Sequence, residues 1–220
     1  MSVESEEFLN FSNRINEYIS AQMLGLDLNV CNYDHNFIWE EVISKGINVR
    51  PFPFEKTARR AISGMIIKDK YETTLAYNSN MNEKRKNFTI SHELIHSLFH
   101  MNDDNHLFTD TKESLTYSYV EFQANIGASI MLLPEPVLIN ELKHGNAPYN
   151  ISNRYGISEA ALYMRLVQLM QGNFEASYIA ASKIASKIMK GNSKSSAKTL
   201  STNLEKRVIN SNPFYEAICI

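Results

Sequence analysis

One short string constrains this chain more than any other feature: His-Glu-Leu-Ile-His at positions 92–96. It lies in a segment of helical periodicity from Thr89 to about Met101, and histidines four residues apart share one helix face, so both rings can reach one metal ion. Glu93, beside the first histidine, is placed to take a proton from a water bound to that ion. Because a catalytic zinc needs three protein ligands and one open position, the string predicts a zinc site completed from elsewhere in the chain.

The residues after the string exclude one arrangement of ligands. The metzincin pattern requires glycine at position 99 and histidine at position 102, where this chain has Phe99 and Asn102. His100 continues the histidine stripe, but three histidines on successive turns span about 12 Å of helix axis at a rise of about 1.5 Å per residue. One ion cannot bind all three, so we expect His100 to support or pack against the site.

A carboxylate is the expected third ligand, and the sequence offers Asp103, Asp104, Asp110, Glu113 and Glu121. Glu121 stands out because its helical segment carries small residues that allow close packing against the histidine helix, namely Ala124, Gly127 and Ala128. Its place 25 residues after His96 is similar to gluzincin-type sites. Asn125, one turn later, is placed to accept a hydrogen bond from a ligand histidine and fix its tautomer. The other four acids fall in a polar loop, where solvated surface is the better interpretation.

The remaining periodicity predicts an α+β fold that is mostly helical. We expect helices over 5–24, 37–47, 89–101, 114–132, 135–143, 158–170 and 175–190, and a polar loop over 102–112. Short strands at 65–68 and 73–78, after an extended proline-containing segment over 47–54, predict a small sheet that precedes the histidine helix. Ser158 is the natural N-cap of the second member of a helix–turn–helix-like pair over 151–170.

The predicted domain organisation follows from changes in composition and periodicity along the chain. We assign a principal domain to 1–172, with an N-terminal helix within 1–35, and a variable region to 173–220. In that region a helix precedes a serine- and lysine-rich stretch over 191–204, which predicts a flexible linker before a short tail. The apolar tail from Pro213 docks either on the body of the protein or on a partner, and the sequence leaves both open.

Composition excludes some partners and locations. A formal net charge of -2 and a pI near 6.3 give no general electrostatic footprint for nucleic acid. Cys31 and Cys219 show no metal-type spacing, and we expect two reduced thiols. The acidic start does not resemble a signal peptide, and the most apolar run, 126–139, is too short to span a bilayer. The sequence favours a cytoplasmic protein with no membrane partner.

Residues 151–170 also raise the hypothesis of a DNA-binding module. Such a module needs side chains on its second helix that read bases and contact phosphates. That helix offers Arg165 and Gln168 but is otherwise apolar or acidic. We therefore interpret the pair as a packing unit or a protein-docking surface, and expect no direct binding of nucleic acid.

Three segments in order resemble the ImmA/IrrE family of metallopeptidases, over roughly residues 40–172. The first is Asn-Phe-Thr-Ile-Ser-His-Glu-Leu-Ile-His-Ser-Leu-Phe-His at 87–100. The second runs from Glu121 through an Ala-Asn pair to Leu-Leu-Pro at 132–134, and the third is the helix–turn–helix-like segment 151–166, which ends in Arg-Leu. One departure is Ile95, which stands where the family often has glycine and is expected to tighten packing behind the histidine.

The resemblance implies a role for each site residue and a class of substrate. It implies zinc bound by His92, His96 and Glu121, with Glu93 as the general base. The implied substrate is a DNA-binding transcriptional repressor, often the helix–turn–helix protein of a phage or mobile element, cleaved at one position. Residues 1–35 and 175–220 lie outside the resemblance, and substrate choice is one role open to them.

Two questions stay open from the sequence. The first is whether the chain is a peptidase or a non-catalytic metal-binding regulator that acts by binding a protein partner; Glu93 argues for the peptidase, since a structural zinc site needs no general base. The second is the group that stabilises an oxyanion, for which the sequence offers only weak candidates: Tyr117, Tyr119, His144, Tyr163 and Arg165.

Overall fold

A computed structural model describes residues 3–53, 62–101, 106–111, 119–191 and 194–220, with the backbone alone described for 3–5 and 106–111. The chain forms two compact units. The first, here called the sheet unit, comprises residues 36–128, and the second, the helical unit, comprises residues 1–35 and 129–220.

The helices are α1 Val3–Gly25, α2 His35–Ile43, α3 Glu83–Phe99, α4 Tyr119–Leu132, α5 Glu135–Lys143, α6 Pro148–Arg154, α7 Glu159–Phe174, α8 Tyr178–Met189, α9 Lys194–Ser211 and α10 Tyr215–Ile218. The strands are β1 Ile47–Phe52, β2 Ile62–Lys68, β3 Thr73–Asn78 and β4 His106–Thr111. This composition confirms the predicted α+β class, mostly helical, with strands that precede the histidine helix α3.

The sheet unit is built on a four-stranded sheet in the order β1-β3-β2-β4. β1 runs parallel to β3, and β2 runs antiparallel to both β3 and β4. Ile66 of β2 pairs with Leu75 of β3, and both side chains are fully buried. Since alternate side chains of a strand point to opposite faces, this pair defines the covered face of the sheet.

α3 is the central helix of the sheet unit and contacts β2 and β3. Its residues 89–96 are buried without interruption. A helix that is buried on all sides normally consists of apolar residues, yet this stretch contains both histidines and Glu93. Burial of three ionisable side chains at the centre of the unit costs desolvation free energy. This cost favours a functional role for these side chains over a packing role.

The helical unit is organised around α1, whose inward residues recur every three or four positions: Phe8, Phe11, Ile15, Ile19 and Met23. Polar contacts tie distant parts of the chain to this helix. The backbone N–H of Glu135 donates to Asn16 at 2.9 Å, and the Asn212 amide donates to Ser20 at 2.8 Å. Leu24, which has the same predicted period, is 39% exposed because it lies in the last turn.

The C-terminal tail packs on the helical unit. Of the two placements that the sequence left open, the body of the protein or a partner, the structure shows the first. Tyr215 and Ile218 of α10 are buried, and the N–H of Val30 donates to the carbonyl of Ile218 at 2.9 Å. This bond joins the residues that precede Cys31 and Cys219, which lie at opposite ends of the sequence. Both are exposed free thiols.

Several predicted elements are confirmed. α1, α4, α5 and α8 lie where the periodicity placed them, and the Ser158 side chain accepts the N–H of Ala161 at 3.1 Å as the N-cap of α7. β3 has the predicted bounds, and β2 begins three residues before its predicted start. The division at 172/173 stays a prediction.

Two segments differ from prediction. The loop predicted over 102–112 contains β4, which pairs with β2. The flexible linker predicted over 191–204 is wrong for residues 194–204, which lie in α9. The buried side chains of α9 follow a helical period, namely Ala197, Leu200, Leu204 and Val208. This apolar period continues past residue 204, where the predicted linker ends. It was missed because polar residues separate the apolar ones, and in the structure α9 packs on α5.

Among the described residues, no single helix is long and apolar enough to cross a membrane. α4 and α5 pass that test only when taken together, by length and composition, with a bend of 51° between them.

Candidate metal centre

α3 begins earlier than the sequence indicated, because the Asn82 side chain accepts the N–H of Arg85 at 3.0 Å and caps the helix. The ring of Trp39 is fixed beside the same helix, since its indole N–H donates to Ser91 at 3.1 Å. The start and the side of α3 are thus both determined by side-chain hydrogen bonds. On this helix His92 and His96 are only 3% and 1% exposed.

The two histidines and Glu121 converge on one point, although Glu121 comes from α4. The Nε2 atoms of His92 and His96 are 3.0 Å apart. Oε2 of Glu121 lies 3.2 Å from Nε2 of His92, and Oε1 lies 3.4 Å from Nε2 of His96. Within the described residues, these three side chains form a group with the donor atoms to hold a metal ion.

These separations fit a tetrahedral zinc ion. Zinc–nitrogen and zinc–oxygen bonds of about 2.05 Å at tetrahedral angles place neighbouring ligand atoms about 3.3 Å apart. The observed separations of 3.0, 3.2 and 3.4 Å bracket that value. Two imidazoles and one carboxylate are also the donor set of known catalytic zinc sites, which keep a fourth position for water. The Glu121 side chain is 24% exposed, so the triad is accessible to solvent from the side of α4.

The electrostatics of the triad favour an ionised carboxylate. The imidazoles of His92 and His96, whose Nε2 atoms lie 3.2 and 3.4 Å from the carboxylate oxygens, hold the pKa of Glu121 well below its usual range, and they outweigh the opposing effect of burial. A ligand carboxylate must be deprotonated to bind a cation, so this environment prepares Glu121 for that role.

Glu93 lies inside the unit with a side chain that is 0% exposed. Its carboxylate approaches β2 at Gly64: a Cβ built on that glycine would lie 3.1 Å from Oε1 of Glu93 and would collide with the γ-methyl of Thr89. Gly64 therefore provides the space into which the carboxylate fits. The strand and the helix together determine where this candidate general base lies.

α3 and α4 approach closely at a second glycine. A Cβ built on Gly127 would lie 2.7, 2.8 and 2.9 Å from Cγ1, Cδ1 and Cγ2 of Ile95, closer than real side chains pack. Ile95 is fully buried. The large Ile95 side chain on α3 is thus matched by a glycine on α4. This complementary pair sets the distance between the helices that carry the triad.

His100 contacts the outer side of His96 and does not join the triad. Its Nδ1 lies 3.1 Å from Nδ1 of His96, and its Nε2 lies 3.0 Å from Oε1 of Gln123. Burial, followed by the neighbouring His96, lowers the pKa of His100 to about 4, so the ring is neutral near pH 7. Gln123 was not singled out from the sequence, and the only signal for it was its place two residues after Glu121 on the same helix.

The support predicted from Asn125 stays a prediction. Its side chain makes no hydrogen bond within the part of the chain described, and Nδ1 of His92 has no hydrogen-bond partner among the described residues. His100 contacts His96 directly, and Gln123 contacts His100.

The other candidates from the sequence fall elsewhere. Asp103, Asp104, Glu113 and Tyr117 lie outside the described residues, as does the side chain of Asp110. Tyr119 is 49% exposed at the start of α4. His144, Tyr163 and Arg165 belong to the helical unit. Arg165 is 1% exposed, and its guanidinium donates to Ser129 at 3.4 Å, so it packs within the core of that unit. Burial lowers its pKa to about 10, which leaves it charged.

A protein-family model covers the residues of the site. The family described as the IrrE N-terminal-like domain, a peptidase family, matches residues 44–167, more than half of the chain. The match includes α3, Glu121 and the whole of the α6 segment, and it confirms the resemblance drawn from the three sequence segments. A search of curated proteins finds no match.

Proposed function

This chain belongs to the family of the IrrE N-terminal-like domain, and we propose that it is a zinc-dependent endopeptidase that cleaves a helix–turn–helix transcriptional repressor at one position. The observation that carries the catalytic part is the convergence of His92, His96 and Glu121 on one point, with the buried Glu93 beside the first ligand. The repressor of a phage or mobile element is supported by the resemblance of the sequence segments to the ImmA/IrrE family.

The proposed mechanism assigns one task to each residue. His92, His96 and Glu121 would hold the zinc, whose contribution is to polarise the scissile carbonyl and lower the pKa of a coordinated water toward about 7. Glu93 would accept the proton of the attacking water and transfer it to the leaving amine. Burial of this carboxylate excludes bulk water from the proton path, and the partial exposure of Glu121 leaves a side open for substrate.

The helix–turn–helix-like pair α6–α7 argues against a nucleic acid ligand. Arg165, the strongest base-reading candidate on α7, is buried in the helical unit. With that side chain unavailable, α7 offers Gln168 alone for recognition of bases. A cytoplasmic location remains part of the proposal, since the expected substrate is a DNA-binding protein.

Metal content and cleavage test the proposal in sequence. Purified protein is first reconstituted with zinc and dialysed, and we expect about one equivalent bound, reduced at least 10-fold in affinity by Glu121→Gln. An occupancy that stays below half an equivalent after reconstitution would overturn the site.

The cleavage assay then uses candidate repressors encoded near this chain. We expect one pair of fragments with wild type and none with Glu93→Gln, which should still bind zinc. Equal cleavage by both would refute the role of Glu93. Metal binding without cleavage of any repressor, but with stable capture of one, would favour the regulator that acts by binding.

A further inference from the structure

Three side chains, those of His96, His100 and Gln123, contact one another in a line that leads away from the other two members of the triad. It begins at Nδ1 of His96, the ring nitrogen that does not face the triad, and passes through His100 to Oε1 of Gln123. The rings of His96 and His100 meet edge to face, with centroids 5.0 Å apart and planes at 62°. Two helices contribute, since the histidines lie on α3 and at its C-cap while Gln123 lies on α4.

The chemistry of the last acceptor determines the direction of every hydrogen bond in this line. An amide oxygen only accepts, so Nε2 of His100 must carry a proton and donate it to Gln123. A neutral imidazole has a single N–H, so Nδ1 of His100 presents a lone pair. It accepts from Nδ1 of His96, whose own Nε2 is then left unprotonated and faces His92 and Glu121.

The burial of His96 gives this contact energetic weight. The side chain is 1% exposed, so water does not reach its Nδ1–H, and an unpaired N–H at that depth would cost about 1–3 kcal/mol. In water the Nε2–H tautomer of a neutral imidazole is accessible, and a ring in that tautomer has no lone pair on the nitrogen that faces the triad. His100 supplies the acceptor that selects the other tautomer.

We propose that His100 and Gln123 are positioning residues that hold His96 in the tautomer that presents a lone pair to the metal. The inference rests on the proposed function in taking the triad as the metal site. It adds a polar support that the motif does not contain, and it places the support on α4, the helix that also carries Glu121. The packing of α4 on α3 thus supplies a ligand and also orients a ligand of the neighbouring helix.

The first test needs no variant. Long-range proton–nitrogen NMR on metal-free protein labelled with ¹⁵N-histidine reports which ring nitrogen of His96 carries the proton. We expect protonated Nδ1 and bare Nε2 in His96, and the reverse arrangement in His100. A proton on Nε2 of His96 in the wild type would overturn the proposal.

The second test compares Gln123→Met with Gln168→Met, a control at a partly buried glutamine on α7. We expect Gln123→Met to lower zinc affinity by about 10- to 100-fold in a chelator competition and to populate both tautomers of His96. Gln123→Glu keeps an acceptor oxygen and should retain wild-type affinity, whereas Gln168→Met should change neither quantity. Unchanged zinc affinity in Gln123→Met would refute the support. Absence of peptidase activity would leave the NMR result standing, so failure of the proposed function is distinguishable from failure of this inference.

Discussion

Substitution of Gly127 by alanine tests whether close packing of α3 and α4 holds the candidate metal site together. The added methyl would lie 2.7–2.9 Å from three carbons of Ile95, where an unstrained contact is about 3.5–4.0 Å. α4 or the isoleucine must therefore move by roughly 0.7 Å, and overpacking of this kind costs about 1–3 kcal/mol. Alanine also has a higher helix propensity than glycine, worth about 1 kcal/mol in the opposite direction.

The burial of Ile95 decides which of these effects wins. Since that side chain is fully enclosed, we expect the steric cost to lie near the upper end of its range. Gly127→Ala should then lower the free energy of unfolding by about 1–2 kcal/mol. Because Glu121 lies on the same helix, the displacement should also weaken zinc binding.

The assay is urea unfolding of metal-free protein, followed by fluorescence of Trp39, the chain's one tryptophan, which lies in the same unit as both residues. Gly25→Ala is the control, since a Cβ there meets no atom within 4 Å. In an Ile95→Ala background all three contacting carbons are gone, so Gly127→Ala should change sign and stabilise by up to about 1 kcal/mol. Stabilisation by Gly127→Ala in the wild type, or an equal effect in both backgrounds, would refute the reasoning.

Three further predictions concern the base, the metal and a surface ion pair. Gly64→Ala should lower the free energy of unfolding by about 1–3 kcal/mol and reduce cleavage by displacing Glu93, while zinc stoichiometry measured by mass spectrometry stays unchanged. Removal of zinc by a chelator, from a concentration of about 1,000 times Kd, should lower the melting temperature in calorimetry by roughly 8–16 °C; an unchanged value would contradict a metal site. Lys143 lowers the pKa of Glu205, so this pair should stabilise above the ordinary glutamate range and lose its effect as the pH falls through the folded pKa. Glu205→Gln should therefore cost about 0.5 kcal/mol in urea unfolding at pH 7 and nothing at the acid end, and a larger cost in acid would contradict the assignment.

The local chemistry of the site was readable from the sequence because it depends on short spacings. His92 and His96 share a helix face by the geometry of the helix alone, and Glu93 is adjacent to one of them. Periodicity likewise determined α1, since this helix buries one regular stripe of apolar side chains. These features need no knowledge of what the helices pack against.

Glu121 was an intermediate case. The sequence placed it on a helix with small residues among five candidate acids, and α4 brings its carboxylate within 3.2 and 3.4 Å of the two histidines. A contact between residues 25 positions apart depends on the crossing of two helices, and that crossing follows from the match of Ile95 with Gly127.

Tertiary structure alone decided the remaining features. β4 is a strand that pairs with β2. α9 has few apolar side chains, and it packs on α5. The contacts of His96 with His100 and of His100 with Gln123 could not be read from spacing along the sequence. Sequence determines what lies within one turn of a helix, because bonded geometry fixes those distances. Contacts such as that of His100 at the C-cap of α3 with Gln123 on α4 depend on how the two helices are rotated about their axes. Only tertiary packing sets this rotation.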